Sequence, residues 1–290
     1  MLTQKIIQKL DAYERLMRLD KPIGILLLMW PTLWALLIAG QGNPDWIVVL
    51  IFATGTVLMR SAGCVMNDIA DSEYDGLVAR TQHRPLVNNE VSKKEAYILA
   101  IGLSLVAFAL VCMLNTLTIK LSVVAMLLAA SYPFTKRFLS IPQAYLGIAF
   151  GWSIPMAFAA ILGNIPAIAW VLLMANIFWA IAYDTEYAMV DREDDLKIGI
   201  KSSAITFGHF DVFAVMISYA VTLLLLVVVG KWLLLSTAYY LGLVLATGFA
   251  GYHYFLIRAR EKSKCFKAFL HNNWFGLSVF AGLSSHYLMA

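Results

Sequence analysis

Residues 45–75 read DWIVVLIFATGTVLMRSAGCVMNDIADSEYD. The first part is apolar almost without interruption, long enough to carry a helix of about 20 residues across a hydrocarbon core roughly 30 Å thick. The end turns acidic, with Asn67, Asp68, Asp71, Glu73 and Asp75 close together. The same kind of apolar run recurs along the chain, over approximately 22–40, 45–66, 96–115, 117–134, 142–162, 165–190, 210–230, 232–257 and 268–288. Of the 290 residues 61% are apolar and 14% charged, and the mean hydropathy is +0.75. A soluble domain carries about 25% charged residues, so this composition belongs in lipid. A β-barrel would need strands alternating apolar and polar residues, and these runs do not alternate. The expected fold is all-α, a polytopic membrane protein of nine transmembrane helices in one membrane-embedded domain, 1–290.

The basic residues give the orientation. Lys5, Lys9, Arg15, Arg18 and Lys21 precede the first span; Arg80, Arg84, Lys93 and Lys94 follow the second; Lys136 and Arg137 follow the fourth. Arg192, Lys197 and Lys201 follow the sixth, and Arg258, Arg260, Lys262, Lys264 and Lys267 the eighth. The opposite loops are short and hold only Lys231, with Lys120 just inside a span. The positive-inside rule puts the N-terminus in the cytoplasm and, after nine spans, the C-terminus outside it. The net charge of +4 is scattered among loops, which argues against a nucleic-acid partner. Cys64, Cys112 and Cys265 show no metal or disulfide spacing, and His209, His253, His271 and His286 read as isolated, so zinc chemistry is not expected.

Two loops on the cytoplasmic side, about 67–95 and 191–209, are long and follow spans four helices apart, each beginning in carboxylates. On a continuing helix Asn67, Asp68, Asp71 and Asp75 share one face, and so do Asp184, Asp191 and Asp195, with Glu193 and Asp194 pointing elsewhere. Like carboxylates crowded in a poorly solvated place repel, and a hard divalent cation relieves them. Mg²⁺ fits, because it accepts one or two carboxylates and completes its octahedron with water and phosphate oxygens. Solvated helix ends are the plainer reading of one such cluster. Two at matching positions, with Asp184 inside an apolar span where a bare carboxylate is costly, favour a diphosphate held between them.

Basic side chains near the clusters suit that ligand. Arg80 and Arg84, with His83 between them, and Lys197 and Lys201 can donate to phosphate oxygens, although each also serves topology. Tyr132, Lys136 and Arg137 bring a phenol, an ammonium and a guanidinium to the same membrane face, where an arginine can fork onto a substrate carboxylate. Arg60, about two turns inside its span, either reaches the diphosphate or pairs with a neighbouring Asn or Asp.

Asn67-Asp68-x-x-Asp71-x-x-x-Asp75, Tyr132-x-x-x-Lys136 and Asp191-x-x-x-Asp195 together resemble the UbiA-type family of intramembrane aromatic prenyltransferases. The resemblance extends through Arg18-Leu-Asp-Lys-Pro-Ile-Gly, Trp30-Pro-Thr-Leu-Trp, Gly151-Trp-Ser-Ile-Pro-Met-Ala-Phe and Tyr183-Asp-Thr-Glu-Tyr-Ala-Met-Val-Asp, and covers essentially the whole chain. It implies nine helices around a central cavity, a cytoplasmic cap over the mouth, and a side opening for the prenyl tail. It also implies residence in a bacterial inner membrane with the active site on the cytoplasmic side. The expected substrates are a polyprenyl diphosphate and 4-hydroxybenzoate, joined in ubiquinone biosynthesis, with no protein partner inferred. The resemblance implies Mg²⁺ at Asn67, Asp68, Asp71, Asp191 and Asp195, catalytic roles for Asp71, Asp75, Asp191 and Asp195, and Arg137, beside Tyr132, as partner of the acceptor carboxylate.

The expected reaction is ionisation of the allylic C–O bond, then capture of the cation by the ring carbon ortho to the phenol. Asp191 and the released phosphate are alternative proton acceptors. Homogentisate, a naphthoate or a porphyrin side chain would use the same diphosphate site. A secondary transporter also has many spans and intramembrane acids, but such proteins place their ion site near the bilayer midplane, not at helix ends beside long loops.

Overall fold

The computed structural model describes residues 2–73, 75–77 and 81–289. Twelve α-helices run in chain order: α1 Leu2–Met17, α2 Ile23–Ala39, α3 Trp46–Asp71, α4 Lys93–Val111, α5 Thr116–Thr135, α6 Pro142–Gly151, α7 Ser153–Leu162, α8 Ala167–Ile198, α9 Ser203–Phe207, α10 Asp211–Trp232, α11 Thr237–Ile257 and α12 Lys262–Met289. The fold is all-α, with no strand among the described residues. Seven helical segments are long and apolar enough to cross a bilayer: α3, α4, α5, α6 with α7, α8, α9 with α10, and α11. The remaining two expected spans fall on α2, an apolar helix of 17 residues, and on α12, which runs for 28. Leu105, Leu127, Leu224 and Val244 are each at least 60% exposed, a surface that suits lipid and not water.

Local sequence sets the helix ends. Asp45 accepts a hydrogen bond from Ile47 N at 2.8 Å and starts α3. Ser92 and Glu95 form a reciprocal capping box at α4, and Asn115 takes Thr118 N at 3.0 Å to open α5. Gly199, at φ +73°, closes α8 in the left-handed conformation that glycine adopts without strain.

α8 is the central helix, with 56% of its membrane-length window buried, against 11% for α5 and 17% for α4. Trp179 at its middle stacks on Phe275 of α12 with centroids 5.4 Å apart and meets Trp34 of α2 at 5.3 Å. α11 and α12 approach backbone to backbone, since a Cβ on Gly242 would stand 2.8 Å from Gly282 Cα. Small residues at such crossings give helices in lipid the contact that hydrophobic burial does not supply there. The result is a tight wall in which α8 and α12, backed by α10 and α11, face the looser α4 and α5 across a cavity.

Two sequence expectations are corrected. α3 stops at Asp71 instead of continuing through Asp75, which opens a short 3-10 turn, Asp75–Leu77. The second polar loop is mostly helix, because α8 runs on to Ile198. That stretch then binds back to the end of α5 and the first turn of α6: Lys201 N donates to Lys136 O at 2.9 Å, and Ser203 N to Gln143 Oε1 at 2.9 Å.

Candidate active site

One cavity of about 1350 Å³ is lined by Asn67, Asp68, Asp71 and Asp75 on one side and by Asp184, Asp191 and Asp195 of α8 on the other. Pockets for a single small ligand run to roughly 300–1,000 Å³, so this one has room for a long chain or two substrates. Both acidic clusters therefore open on one space. Glu193 and Asp194 point away, to Lys262 at 2.7 Å and Lys197 at 3.1 Å.

The mouth is a lattice of alternating charge. Asp68, 1% exposed, takes Arg18 Nη2 at 3.0 Å on each oxygen and Arg84 Nη1 at 3.0 Å. Arg84 Nη1 also reaches Asp75 Oδ2 at 2.6 Å. Burial pushes the Asp75 carboxyl up to about 6, while the Arg84 guanidinium draws it down. Asp71 Oδ2 accepts the Lys136 ammonium and Asn67 Nδ2, the latter at 3.1 Å. Asp71 Oδ1 is buried with no partner among the described residues.

Deeper in, Arg60 of α3 lies with its guanidinium 5.5 Å from the Phe150 ring centroid. It lines the cavity with Tyr132, Tyr183, Asp184 and Tyr187. Below these the wall is apolar, with Phe52, Phe108, Val111 and Met156. Among the described residues six buried side-chain polar atoms lack a hydrogen-bond partner, and four of them, Arg60 Nε, Asp71 Oδ1, Tyr183 Oη and Ser202 Oγ, belong to side chains lining this cavity. Buried polar groups are ordinarily satisfied. Their concentration here gives a polar ligand several groups to bind inside one cavity.

The donor set fits a magnesium ion in chemistry, being all hard oxygen with one carboxylate oxygen uncommitted. It is not a closed cage: among the described residues no three His, Cys, Asp or Glu side chains converge tightly enough to hold a metal on their own. A cation that brings water and phosphate oxygens as ligands suits two half-sites on facing walls.

Of the other residues singled out in the sequence, Lys201 lines the cavity and its Nζ donates to Phe138 O at 3.0 Å. Lys197 does not line it; its side chain is 72% exposed and pairs with Asp194. Arg137 does not line it either, and donates from Nη2 to Ala70 O at 3.0 Å, bracing the end of α3. Arg80 lies outside the described residues.

The sequence reading passed over four groups. Arg18, counted there as a topology residue, adopts φ +58°, a conformation rare for a residue with a side chain, and that turn delivers it to Asp68. Tyr183 and Ser202 line the cavity with unpartnered oxygens. Glu186 of α8 is fully buried and does not line the cavity, and no spacing in the sequence marks it apart from its acidic neighbours. His253 and His271, read as isolated, are corrected by the same network: His253 Nε2 lies 3.1 Å from His271 Nδ1, and His253 Nδ1 lies 2.8 Å from Tyr219 Oη and 3.6 Å from Glu186 Oε1. Helices α8, α10, α11 and α12 each supply a member, a convergence that only the tertiary fold reveals.

A helical membrane bundle around a cavity with two acidic clusters at one end and an apolar depth at the other is the architecture of intramembrane prenyltransferases. The model of the UbiA prenyltransferase family matches residues 28–276, and the chain belongs to that family. It is 64% identical to the 4-hydroxybenzoate octaprenyltransferase of Methylobacillus flagellatus, over 97% of this chain and 95% of the relative. It is 63% identical to the enzyme of the same name from Dechloromonas aromatica, over 98% and 96%. In fold it is similar to a UbiA homologue from Aeropyrum pernix, with a TM-score of 0.78 at 24% identity, covering 89% of this chain and 96% of that one. It is also similar to a UbiA homologue from Archaeoglobus fulgidus whose structure is bound to GPP and Mg²⁺, with a TM-score of 0.70 at 18% identity, covering 94% and 99%.

Proposed function

We propose that the chain, acting as one membrane-embedded domain over residues 1–290, transfers a polyprenyl group from its diphosphate to the ring carbon of 4-hydroxybenzoate ortho to the hydroxyl, releasing diphosphate. The observation that carries this is the single cavity in which a mouth of carboxylates and cations opens into an apolar depth. A molecule with an ionic head and a long hydrocarbon tail matches it end for end. The high identity to enzymes named for 4-hydroxybenzoate supports that acceptor.

Asn67, Asp68, Asp71, Asp191 and Asp195 would hold Mg²⁺, which supplies neutralising charge for the departing diphosphate. Arg84, Lys136 and Lys201, with Arg80 from the same cluster in the sequence, donate to phosphate oxygens as the allylic C–O bond breaks. The buried apolar wall keeps water from the allylic cation, which would otherwise be hydrolysed before the ring captures it. The new C–C bond forms as the ring attacks, and the ring proton passes to Asp191 or to the diphosphate. For the acceptor carboxylate we assign Arg60, in the deeper part of the cavity with the Tyr132 phenol beside it, while Arg137 holds the end of α3 from outside the lining. The site is at the cytoplasmic end of the spans in a bacterial inner membrane, an orientation supported by the basic loops.

Membranes containing the protein, incubated with labelled 4-hydroxybenzoate, polyprenyl diphosphate and Mg²⁺, should move label into the lipid extract. EDTA, Asp71→Ala and Asp191→Ala should each abolish that transfer. Prenylation of homogentisate or a naphthoate instead would keep the site and change the acceptor. No transfer to any aromatic acceptor by folded protein would overturn the enzyme reading.

A further inference from the structure

Gly55, Met59, Gly63, Asn67 and Asp71 stand four residues apart on α3, and all five line the cavity. Residues at that spacing form a ridge that winds slowly round a helix, by about 40° per step. The ridge runs from the acidic mouth into the apolar depth, all five positions meeting the cavity, and two of them carry no side chain.

Those glycines have no structural reason to be glycine. Neither has a positive φ. A Cβ added at Gly55 or Gly63 would meet nothing within 4 Å, whereas one at Gly147 would stand 2.7 Å from Ile177 Cα and one at Gly242 2.6 Å from Ser278 O. Glycine inside a helix is worse than alanine by about 0.5–1 kcal/mol, so a side chain would help the helix and crowd no neighbour in the protein. What the missing side chains leave is space in the cavity wall, with the pliable Met59 between them. Independently, the mouth end of the ridge points to a ligand: Asp71 is 4% exposed and its Oδ1 has no partner among the described residues.

We propose that Gly55 and Gly63 form a groove that seats the hydrocarbon chain of the donor and sets which chain lengths the enzyme accepts. This rests on reading the cavity as the donor site. With a rise of 1.5 Å per residue, Gly63 lies about 6 Å beyond Asn67 and Gly55 about 18 Å beyond it. The eight-carbon main chain of a geranyl group, with C–C bonds near 1.5 Å, spans at most about 10 Å. A geranyl chain passes Gly63 and stops short of Gly55, while an octaprenyl chain passes both.

The test compares kcat/KM for geranyl and octaprenyl diphosphate, at saturating acceptor and Mg²⁺, in wild type, Gly55→Leu, Gly63→Leu and Gly102→Leu. Gly102 also has open space around it but lies outside the cavity lining, so its variant controls for placing leucine in a membrane helix. Gly55→Leu should lower the octaprenyl-to-geranyl ratio by about tenfold or more, within the range that steric discrimination of small apolar groups reaches. Gly63→Leu should lower both values, and Gly102→Leu should leave the ratio as in wild type. Equal losses with both donors in Gly55→Leu, or a ratio that does not move, overturns the proposal. A wild-type protein that transfers neither chain overturns the functional reading beneath it, a result distinct from either.

Discussion

Gly24 of α2 lies against Arg60 of α3 so closely that a Cβ at Gly24 would stand 2.5 Å from both Nε and Nη2 of the arginine. The guanidinium occupies the place where a side chain of α2 would be, and it faces the cavity over the Phe150 ring. The backbone of α2 cannot retreat, because Leu27 and Trp34 on the same helix are 1% exposed in the core. Gly24→Ala must therefore move the guanidinium. A charge-assisted hydrogen bond contributes about 1.5–3 kcal/mol, so Arg60→Ala should raise the KM for 4-hydroxybenzoate by about 10- to 100-fold, and Gly24→Ala by a smaller factor in the same direction. Steady-state kinetics with each substrate varied in turn checks this. If the donor KM rises instead, Arg60 serves the diphosphate.

The Lys136 ammonium rests on the Asp71 oxygen that also accepts Asn67, and so lowers the negative charge available at the mouth. Lys136→Met leaves that carboxylate with a neutral partner while removing a donor to phosphate. Two opposite effects are expected: the Mg²⁺ concentration giving half-maximal rate falls, since a cation no longer repels another, and the KM for the prenyl diphosphate rises by about tenfold. Initial rates titrated in Mg²⁺ at fixed donor separate the two. An unchanged metal dependence would mean that Asp71 does not meet the ion.

Lys197 and Lys201 look equivalent in sequence and differ in the fold. Lys201 lines the cavity, whereas Lys197 extends into solvent and pairs with Asp194 three residues away. Exposed pairs of that kind contribute about 0–1 kcal/mol. Lys201→Ala should impair donor binding and Lys197→Ala should change KM for the donor by less than about threefold. Comparable losses in both would place the diphosphate further out than the cavity mouth.

These contrasts mark where sequence reading succeeds and where it stops. That Asn67, Asp68 and Asp71 fall together, and Asp191 with Asp195, is legible because each set lies on one helix, and helical spacing converts sequence separation into a shared face. The apolar spans were legible because bilayer thickness imposes a length. The resemblance names Arg137 for the acceptor carboxylate and the sequence leaves Arg60 open, since only the crossing of α3 with α2 and the turn after α5 decide which guanidinium lines the cavity. Asp75 reaches the same cavity from a 3-10 turn instead of the expected helix, because α3 ends at its Ser72 cap. The Glu186 cluster was invisible because its members come from four helices whose relative rotation no local pattern encodes.

That cluster carries the stability prediction. Glu186 accepts Tyr219 Oη at 3.0 Å and Asn272 Nδ2 at 2.8 Å, and Asn272 Oδ1 in turn accepts Trp179 Nε1 at 2.9 Å. All four side chains are buried, so Asn272→Leu strands a tryptophan N–H and a carboxylate oxygen at once. Each orphaned group costs about 1–3 kcal/mol, although partners found in the membrane-unfolded state reduce such penalties to about 0.6 kcal/mol on average. Asn272→Leu should lower Tm by about 2–5 °C, since two groups at about 0.6 kcal/mol each act on a chain that ~1 kcal/mol moves by about 2–4 °C. Glu186→Leu should act similarly. The double variant should fall by less than the sum, because both changes break the Asn272–Glu186 hydrogen bond. Cys64 and Cys265 are buried, so unfolding in detergent can be followed by their reaction with a fluorogenic thiol reagent, with exposed Cys112 setting the baseline. Strict additivity would mean that Glu186 and Asn272 stabilise the bundle independently, and the hydrogen bond between them would then carry none of its stability.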